Sequence, residues 1–175
     1  CQGWGKLENH PSNGGPRAVK IAAGRADRRL PPPNQRNIFM ETAFRYLAIS
    51  GILTVLLWTP YIVGRLFVWG LPTFLTGYPE GFPAREPETP LWMDRAKRAH
   101  LNMVETMPAF VAVVAAAGLL GDASIAETVG TWAQLFFFAR IAHAIVYTLG
   151  IPGLRTPVYL ISWAAILMIG AQVVL

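Results

Sequence analysis

The sequence predicts an all-α integral membrane protein, built as an antiparallel four-helix transmembrane bundle. Of its 175 residues, 53% are hydrophobic and only 14% are charged, which is the apolar edge of what globular domains show. After residue 40 the apolar residues gather into four stretches. Each is long enough to cross the roughly 30 Å hydrocarbon core of a bilayer as a helix. Short polar connections join the last three stretches, which makes neighbouring helices antiparallel.

The spans are separated by turn-forming residues and contain two informative prolines. We place the spans at about Phe44–Leu71, Leu91–Leu120, Ile125–Leu149 and Pro157–Leu175. Pro60 interrupts the first span, and a Gly- and Pro-rich loop too short for a separate domain follows it. Pro108 in the second span leaves the carbonyl of Val104 without its helical donor. We therefore expect a kink that opens space beside the polar residues of this span.

Residues 1–39 differ in composition from the rest of the chain. They hold seven of the fifteen basic residues and two of the ten acidic ones, so the net charge of +5 belongs to this segment alone. Proline and glycine runs without apolar periodicity predict a disordered basic extension in front of a membrane domain at 40–175. We expect the natural protein to start at Met40, and the alternative is a true basic tail that contacts anionic lipid.

Charge and cysteine content exclude two classes of function. Residues 40–175 carry eight basic and eight acidic residues, so they offer no basic surface for nucleic acid. The only cysteine is Cys1, which leaves no disulfide framework and no cysteine-ligated metal. His143 has no Cys, Asp or second His at ligand spacing, and we predict no metal site.

Basic residues near the helix ends predict the orientation of the bundle. The first and third connections, with the helix ends beside them, carry Arg65, Arg85, Arg95, Lys97, Arg98 and Arg155. The middle hairpin carries Asp122 and Glu127 but no basic residue. By the positive-inside rule the first and third connections face the cytoplasm. Tryptophans and tyrosines near the span ends, Tyr159 among them, fit interfacial aromatic belts.

Ionisable and amide side chains inside the spans form two stripes. They are Arg98, Asn102 and Glu105 in the second span, and Arg140, His143 and Tyr147 in the third. Both sets repeat at helical spacing, so each shares one helix face. Pairing Glu105 with Arg140 removes two unpaired charges from hydrocarbon, and we expect these two residues to face each other.

Arginines are also concentrated at the predicted cytoplasmic level of the bundle. The residues expected there are Arg65, Arg95, Arg98, Asn102, Tyr147 and Arg155. Several arginines with few carboxylates nearby form a pocket for an anion. The alternative is ordinary positive-inside decoration, which accounts for Arg85, Arg95 and Lys97 but less well for Arg98.

Two blocks of this sequence resemble one known family. The run DRAKRAHLNMVET at 94–106, followed by Pro108 and Phe110, resembles the signature of the MAPEG family, the membrane-associated proteins of eicosanoid and glutathione metabolism. A second block resembles the third span and following hairpin of that family, with Phe138, Ala139, Arg140, His143, Tyr147, Pro152, Arg155 and Thr156. The resemblance covers residues 40–175 and is strongest to the bacterial branch.

The resemblance implies a homotrimer in the bacterial inner membrane that binds glutathione, its co-substrate, between subunits on the cytoplasmic side. The glutathione-binding residues it implies are Arg65, Arg95, Arg98, Asn102, Glu105, Arg140 and His143. The catalytic residues it implies are Arg155, which would hold the glutathione sulfur as a thiolate, and Tyr147. A guanidinium keeps its proton, so Arg155 can only stabilise an adjacent anion.

The expected function is that of an integral-membrane glutathione-dependent transferase or peroxidase that acts on lipophilic electrophiles. The alternative is a non-catalytic membrane scaffold or a small transporter-like bundle that uses Arg140 and His143 as a polar relay. The sequence shows no inverted repeat, which makes transport the weaker version of this alternative.

Overall fold

The computed structural model describes residues 33–76 and 88–175. The described part contains five helices: α1 Pro33–Leu56, α2 Thr59–Thr76, α3 Leu91–Leu120, α4 Ala123–Leu149 and α5 Arg155–Val174. Four stretches of it are long and apolar enough to cross a membrane, namely Met40–Thr76, which joins most of α1 to α2, and the whole of α3, α4 and α5. The predicted all-α membrane bundle is confirmed.

The first span is divided close to the predicted position. Helix α1 ends at Leu56 and α2 begins at Thr59, with Pro60 in its first turn. Proline is tolerated there because the N–H it lacks has no partner in the first turn of a helix. Near its far end α2 is interrupted again at Gly70, whose φ of 75° lies outside the helical region.

Helix α1 begins earlier than the sequence predicts. Residues 33–39, expected to belong to a disordered extension, form its first two turns. Pro33 suits the first position of a helix, and residues 34–39 contain no further proline or glycine to stop one. Residues 1–32 and the loop residues 77–87, which include Arg85, lie outside the described residues. Disorder over residues 1–32 and a start at Met40 stay predictions.

Local capping explains the bounds of α4. Asp122 precedes its first residue, and the Asp122 carboxylate accepts a hydrogen bond of 2.8 Å from the Ser124 N–H. At the other end Gly150 is left-handed at φ 70° and donates to the carbonyl of Tyr147 at 3.1 Å. Ile151 donates to the carbonyl of Val146 at 3.1 Å, which completes a Schellman-type end.

Helix α4 occupies the centre of the bundle, where it packs against α1, α3 and α5. The core is centred on Phe110 of α3, whose ring stacks on that of Phe136 of α4 with centroids 3.8 Å apart. Both side chains are fully buried. Helix α3 runs continuously through Pro108, so the proline does not divide this span.

Helix α2 lies outside this core. Within the described part it packs on α3 and meets the end of α1, and it contacts neither α4 nor α5. Gly64 permits the close approach to α3, because a Cβ at this position would lie 2.9 Å from the sulfur of Met93 and from the ring of Trp92. The second half of the first span therefore covers only one face of α3.

Candidate functional site

Three adjoining cavities lie where α3 begins, α4 ends and α5 begins. We name them the hairpin cavity, of about 390 Å³ beside residues 150–153, the inner cavity, of about 260 Å³ between α3, α4 and α5, and the entrance cavity, of about 180 Å³ at the start of α3. Tyr147 and Arg155 line all three. Tyr147 and Arg155, the two residues that the family resemblance implies as catalytic, thus lie in the wall that these cavities share.

The structure brings most of the proposed site residues to these cavities. Arg95 and Arg98 line the entrance cavity. Asn102 and His143 line the inner cavity. With Tyr147 and Arg155, six of the nine residues proposed from the sequence therefore meet at one end of the bundle. The other three, Arg65, Glu105 and Arg140, line none of the three cavities.

Arg155 is held over an aromatic ring at the start of α5. Its guanidinium carbon lies 4.8 Å from the centroid of the Tyr147 ring, within the range of a cation–π contact. The Tyr147 ring meets that of His143 edge-on, with centroids 5.4 Å apart. Arg155 as a whole is exposed, so this contact leaves its guanidinium open to solvent and to a ligand.

The cavities carry an excess of positive charge. Within the ranges 33–76 and 88–175, no carboxylate lies within salt-bridge distance of Arg95, Arg98 or Arg155. The carboxylate of Asp94, which also lines the entrance cavity, accepts a hydrogen bond of 2.9 Å from the Thr89 hydroxyl. Three guanidinium groups that lie around one space, with no carboxylate partner in the part of the chain that the structure describes, are suited to an anionic ligand.

The position of the Arg95 side chain depends on Gly150, the glycine that ends α4. The side chain of Arg95 lies so close to the Cα of Gly150 that a Cβ there would overlap its guanidinium. A cation at this point also interacts favourably with the carbonyl end of helix α4. Gly150 therefore supplies both a left-handed helix end and the room that Arg95 occupies.

Arg140 lies beneath the inner cavity and is only 1% exposed. Its Nη1 and Nη2 donate to Asn102 Oδ1 at 3.2 and 3.3 Å, and Nη2 also donates to the Asn102 carbonyl. Nη1 donates to Ser162 Oγ at 3.4 Å, and Nε donates to Met103 Sδ at 3.2 Å. Arg140 thus connects α3, α4 and α5 through neutral acceptors.

The expected pair between Glu105 and Arg140 is wrong within one protomer. Glu105 is exposed and forms no salt bridge with any residue that the structure describes. The guanidinium of Arg140 reaches the side chain and carbonyl of Asn102 instead, three residues before Glu105. Arg98, Asn102 and Glu105 are spaced i, i+4, i+7 on α3, and the rotation of this helix brings Asn102, the middle residue, to Arg140.

Arg65 lies away from the cavities. It stacks against Trp69 at 4.8 Å and Tyr61 at 5.9 Å on α2, and the Tyr61 hydroxyl lies 3.4 Å from Nδ1 of His100 on α3. Because each residue advances a helix by about 100°, His100 and Asn102 point about 160° apart. Within one protomer, Arg65 and the cavities thus lie on opposite faces of α3.

Tyr159 is a cavity-lining residue that sequence reasoning missed. The sequence places it in an interfacial belt, but it lines the inner cavity, with its ring 5.8 Å from that of His143. Arg155, Tyr159 and Ser162 follow an i, i+4, i+7 spacing on α5. The same periodicity singled out the stripes on α3 and α4, so it was the signal that could have identified Tyr159.

The described residues contain no group of three or more His, Cys, Asp or Glu side chains that could hold a metal ion. The donors around the cavities are guanidinium, amide and hydroxyl groups, which recognise anions and carbonyl oxygens. The chemistry available here is therefore the binding and stabilisation of an anion close to the membrane.

Comparison with known proteins is consistent with this geometry. No curated protein and no solved structure gives a significant match to the chain. The model of one family matches residues 43–175, which include the whole of α3, α4 and α5, the first candidate span from residue 43 onward, and every cavity-lining residue named above. On this evidence the chain belongs to the MAPEG family.

Proposed function

We propose that the protein is a glutathione-dependent transferase or peroxidase that acts on lipophilic electrophiles dissolved in the membrane. The observation that carries this proposal is the meeting of Arg95, Arg98 and Arg155 around connected cavities without salt-bridge partners among the described residues. Membership of the MAPEG family, which includes glutathione transferases and peroxidases, supports it.

The residues divide into binding and activating groups. Glutathione has two carboxylates, which Arg95 and Arg98 at the entrance cavity are suited to hold. Its thiol would lie beside Arg155, whose permanent charge favours loss of the S–H proton to solvent. Tyr147 lines the same cavities, and its hydroxyl would donate a second hydrogen bond to sulfur. The thiolate then forms a C–S bond with an electrophilic carbon, and the leaving group departs with the electron pair.

Arg65 supports a site shared between subunits. Because Arg65 lies across α3 from the cavities, we propose that it contacts glutathione bound at a neighbouring protomer. Helix α2, which carries Arg65, lies at the edge of the protomer where a neighbour can pack. We propose a homotrimer on this basis and on that of the family, with Glu105 also turned toward the protomer surface.

The proposed location is the bacterial inner membrane, with the thiol site on the cytoplasmic side. Five basic residues lie toward the end of the bundle that holds the cavities, namely Arg65, Arg95, Lys97, Arg98 and Arg155. The opposite connection carries Asp122 and no basic residue. The positive-inside rule therefore orients the cavities toward the cytoplasm, where low-molecular-weight thiols are kept reduced.

The test compares Arg155→Ala and Arg155→Lys with Arg98→Ala. We expect Arg155→Ala to abolish turnover of a generic aryl halide electrophile and the ultraviolet absorbance of bound thiolate, while glutathione still binds. Arg155→Lys should restore part of both, since it keeps the charge without the planar donor. Arg98→Ala should chiefly weaken binding, because its contacts are equal in the ground and transition states.

Arg45→Ala is the matched control. Arg45 lies on α1 and forms an exposed salt bridge of 2.7 Å with Glu41, away from the cavities. It should leave binding and turnover unchanged. Full turnover by Arg155→Ala at saturating glutathione would disprove the activating role of Arg155 and make Tyr147 the next candidate. A wild-type protein that binds no glutathione would instead favour the scaffold function, for which the Arg140 connections between three helices also suffice.

A further inference from the structure

The contact between Arg140 and Asn102 determines which way the Asn102 amide faces. Both terminal nitrogens of Arg140 lie within hydrogen-bond distance of the same side-chain atom, at 3.2 and 3.3 Å. A guanidinium has only donors, so the atom that faces it must be the amide oxygen. The reversed amide would place N–H groups against N–H groups in a buried site.

The amide nitrogen is thereby left for the inner cavity. Asn102 lines this cavity together with His143, Tyr147, Arg155, Thr156 and Tyr159. Among the residues that the structure describes, the Asn102 amide nitrogen donates no hydrogen bond. Two N–H donors are thus available to a molecule in the cavity, on the α3 side.

Other contacts hold the Arg140 guanidinium in place, so the Asn102 amide has a single favourable orientation. Its Nη1 donates to Ser162 Oγ at 3.4 Å, and the Ser162 hydroxyl donates in turn to the carbonyl of Tyr159 at 2.7 Å. Its Nε donates to Met103 Sδ at 3.2 Å. Rings of Phe136 and Tyr159 lie 5.9 and 5.7 Å from the guanidinium carbon.

We propose that Arg140 is a positioning residue that locks Asn102 as a hydrogen-bond donor to the ligand of the inner cavity. The ligand then presents an acceptor at this point, a carbonyl or carboxylate oxygen or a thiolate sulfur, and keeps any ammonium group elsewhere. Naming glutathione as that ligand rests on the proposed function. The orientation of Asn102 does not, because it follows from contacts within the protomer.

The substitution Asn102→Asp separates positioning from simple structural support. The new carboxylate gives the buried guanidinium a charged partner, so the protein should melt at a higher temperature than Asn102→Ala and at least as high as the wild type. The same change replaces the N–H donor of the cavity with an acceptor. Glutathione binding should therefore weaken about tenfold or more.

Two further variants complete the test on full-length protein in detergent. Arg140→Gln offers both a donor and an acceptor to Asn102, so the amide is no longer fixed and glutathione should bind more weakly although every cavity-lining side chain is intact. Arg45→Ala is the control, because Arg45 lies on α1 in an exposed salt bridge with Glu41 and contacts neither Arg140 nor Asn102. Its glutathione affinity should stay within about twofold of the wild type.

Two measurements are made on each variant. The melting temperature reports its stability, and calorimetric titration with glutathione reports its affinity for the ligand. If Asn102→Asp melts below Asn102→Ala, the side chain at this position does not face Arg140 and the lock is wrong. If Asn102→Asp binds glutathione as tightly as the wild type, the donor role is wrong. The comparison of melting temperatures needs no ligand. A wild-type protein that binds no glutathione would therefore overturn the proposed function, while the melting temperatures would still show whether Arg140 orients the Asn102 amide.

Discussion

Replacement of Gly150 by alanine tests whether the end of α4 positions Arg95. Gly150 has φ 70° and Gly153, three residues later, has φ 83°. A left-handed conformation costs an L-residue about 1–2 kcal/mol. Gly150→Ala and Gly153→Ala should therefore lower the free energy of unfolding by similar amounts, about 1–2 kcal/mol each.

The two glycines differ in what a new methyl group would meet. A Cβ at Gly150 overlaps the guanidinium of Arg95 and lies 3.0 Å from its Nε, whereas a Cβ at Gly153 has nothing within 4 Å. The guanidinium is the end of a flexible side chain, so it moves away at little further cost in stability. Arg95 would then leave its place at the hairpin and entrance cavities.

The assay combines denaturant titration with glutathione binding for the wild type and both variants. A hydrogen bond to a charged group contributes about 1.5–3 kcal/mol, so Gly150→Ala should bind glutathione about tenfold or more weakly. Gly153→Ala should bind nearly as well as the wild type. Equal binding by the two variants would refute the reasoning, because it would show that displacement of Arg95 does not affect the site.

Three further outcomes follow from the packing. Glu105→Ala should change the free energy of unfolding of a detergent-solubilised protomer by no more than about 0.5 kcal/mol, because Glu105 is exposed and not paired with Arg140. A loss near 3 kcal/mol in denaturant titration would show that Glu105 and Arg140 are paired after all. Phe110→Ala should cost about 3 kcal/mol in the same titration, since it empties the centre of the core, and a loss below 1 kcal/mol would contradict the stacking with Phe136. Co-expression of Arg65→Ala and Arg155→Ala chains should restore turnover above that of either variant alone, because mixed trimers contain sites with both arginines; no recovery in trimers shown to be mixed would contradict a shared site.

The sequence by itself determines the helical spans and identifies most of the charged residues that line the cavities. Span length and hydropathy are local properties, so the predicted bounds of α3, Leu91 to Leu120, coincide with those observed. Helical periodicity is also local, and it correctly grouped Arg98 with Asn102 and His143 with Tyr147. Pro60 marked the division of the first span because a proline inside a helix removes a donor.

Contacts between helices were decided only by the tertiary structure. Periodicity shows which residues share a face, but it does not show how far each helix is rotated against its neighbour. For this reason Arg140 meets Asn102 rather than Glu105, and Tyr159 turns into the inner cavity rather than to the interface.

The position of Arg65 depends on a longer-range feature. The division of the first span sends α2 to one side of α3, away from α4 and α5, and no pattern within the span specifies that side. The contact of Arg95 with Gly150 likewise joins the start of α3 to the end of α4, which are 55 residues apart in the chain. Local sequence determines helices and their faces, whereas the rotation and approach of packed helices, which follow from side-chain volume across the whole bundle, determine which charged groups share a cavity.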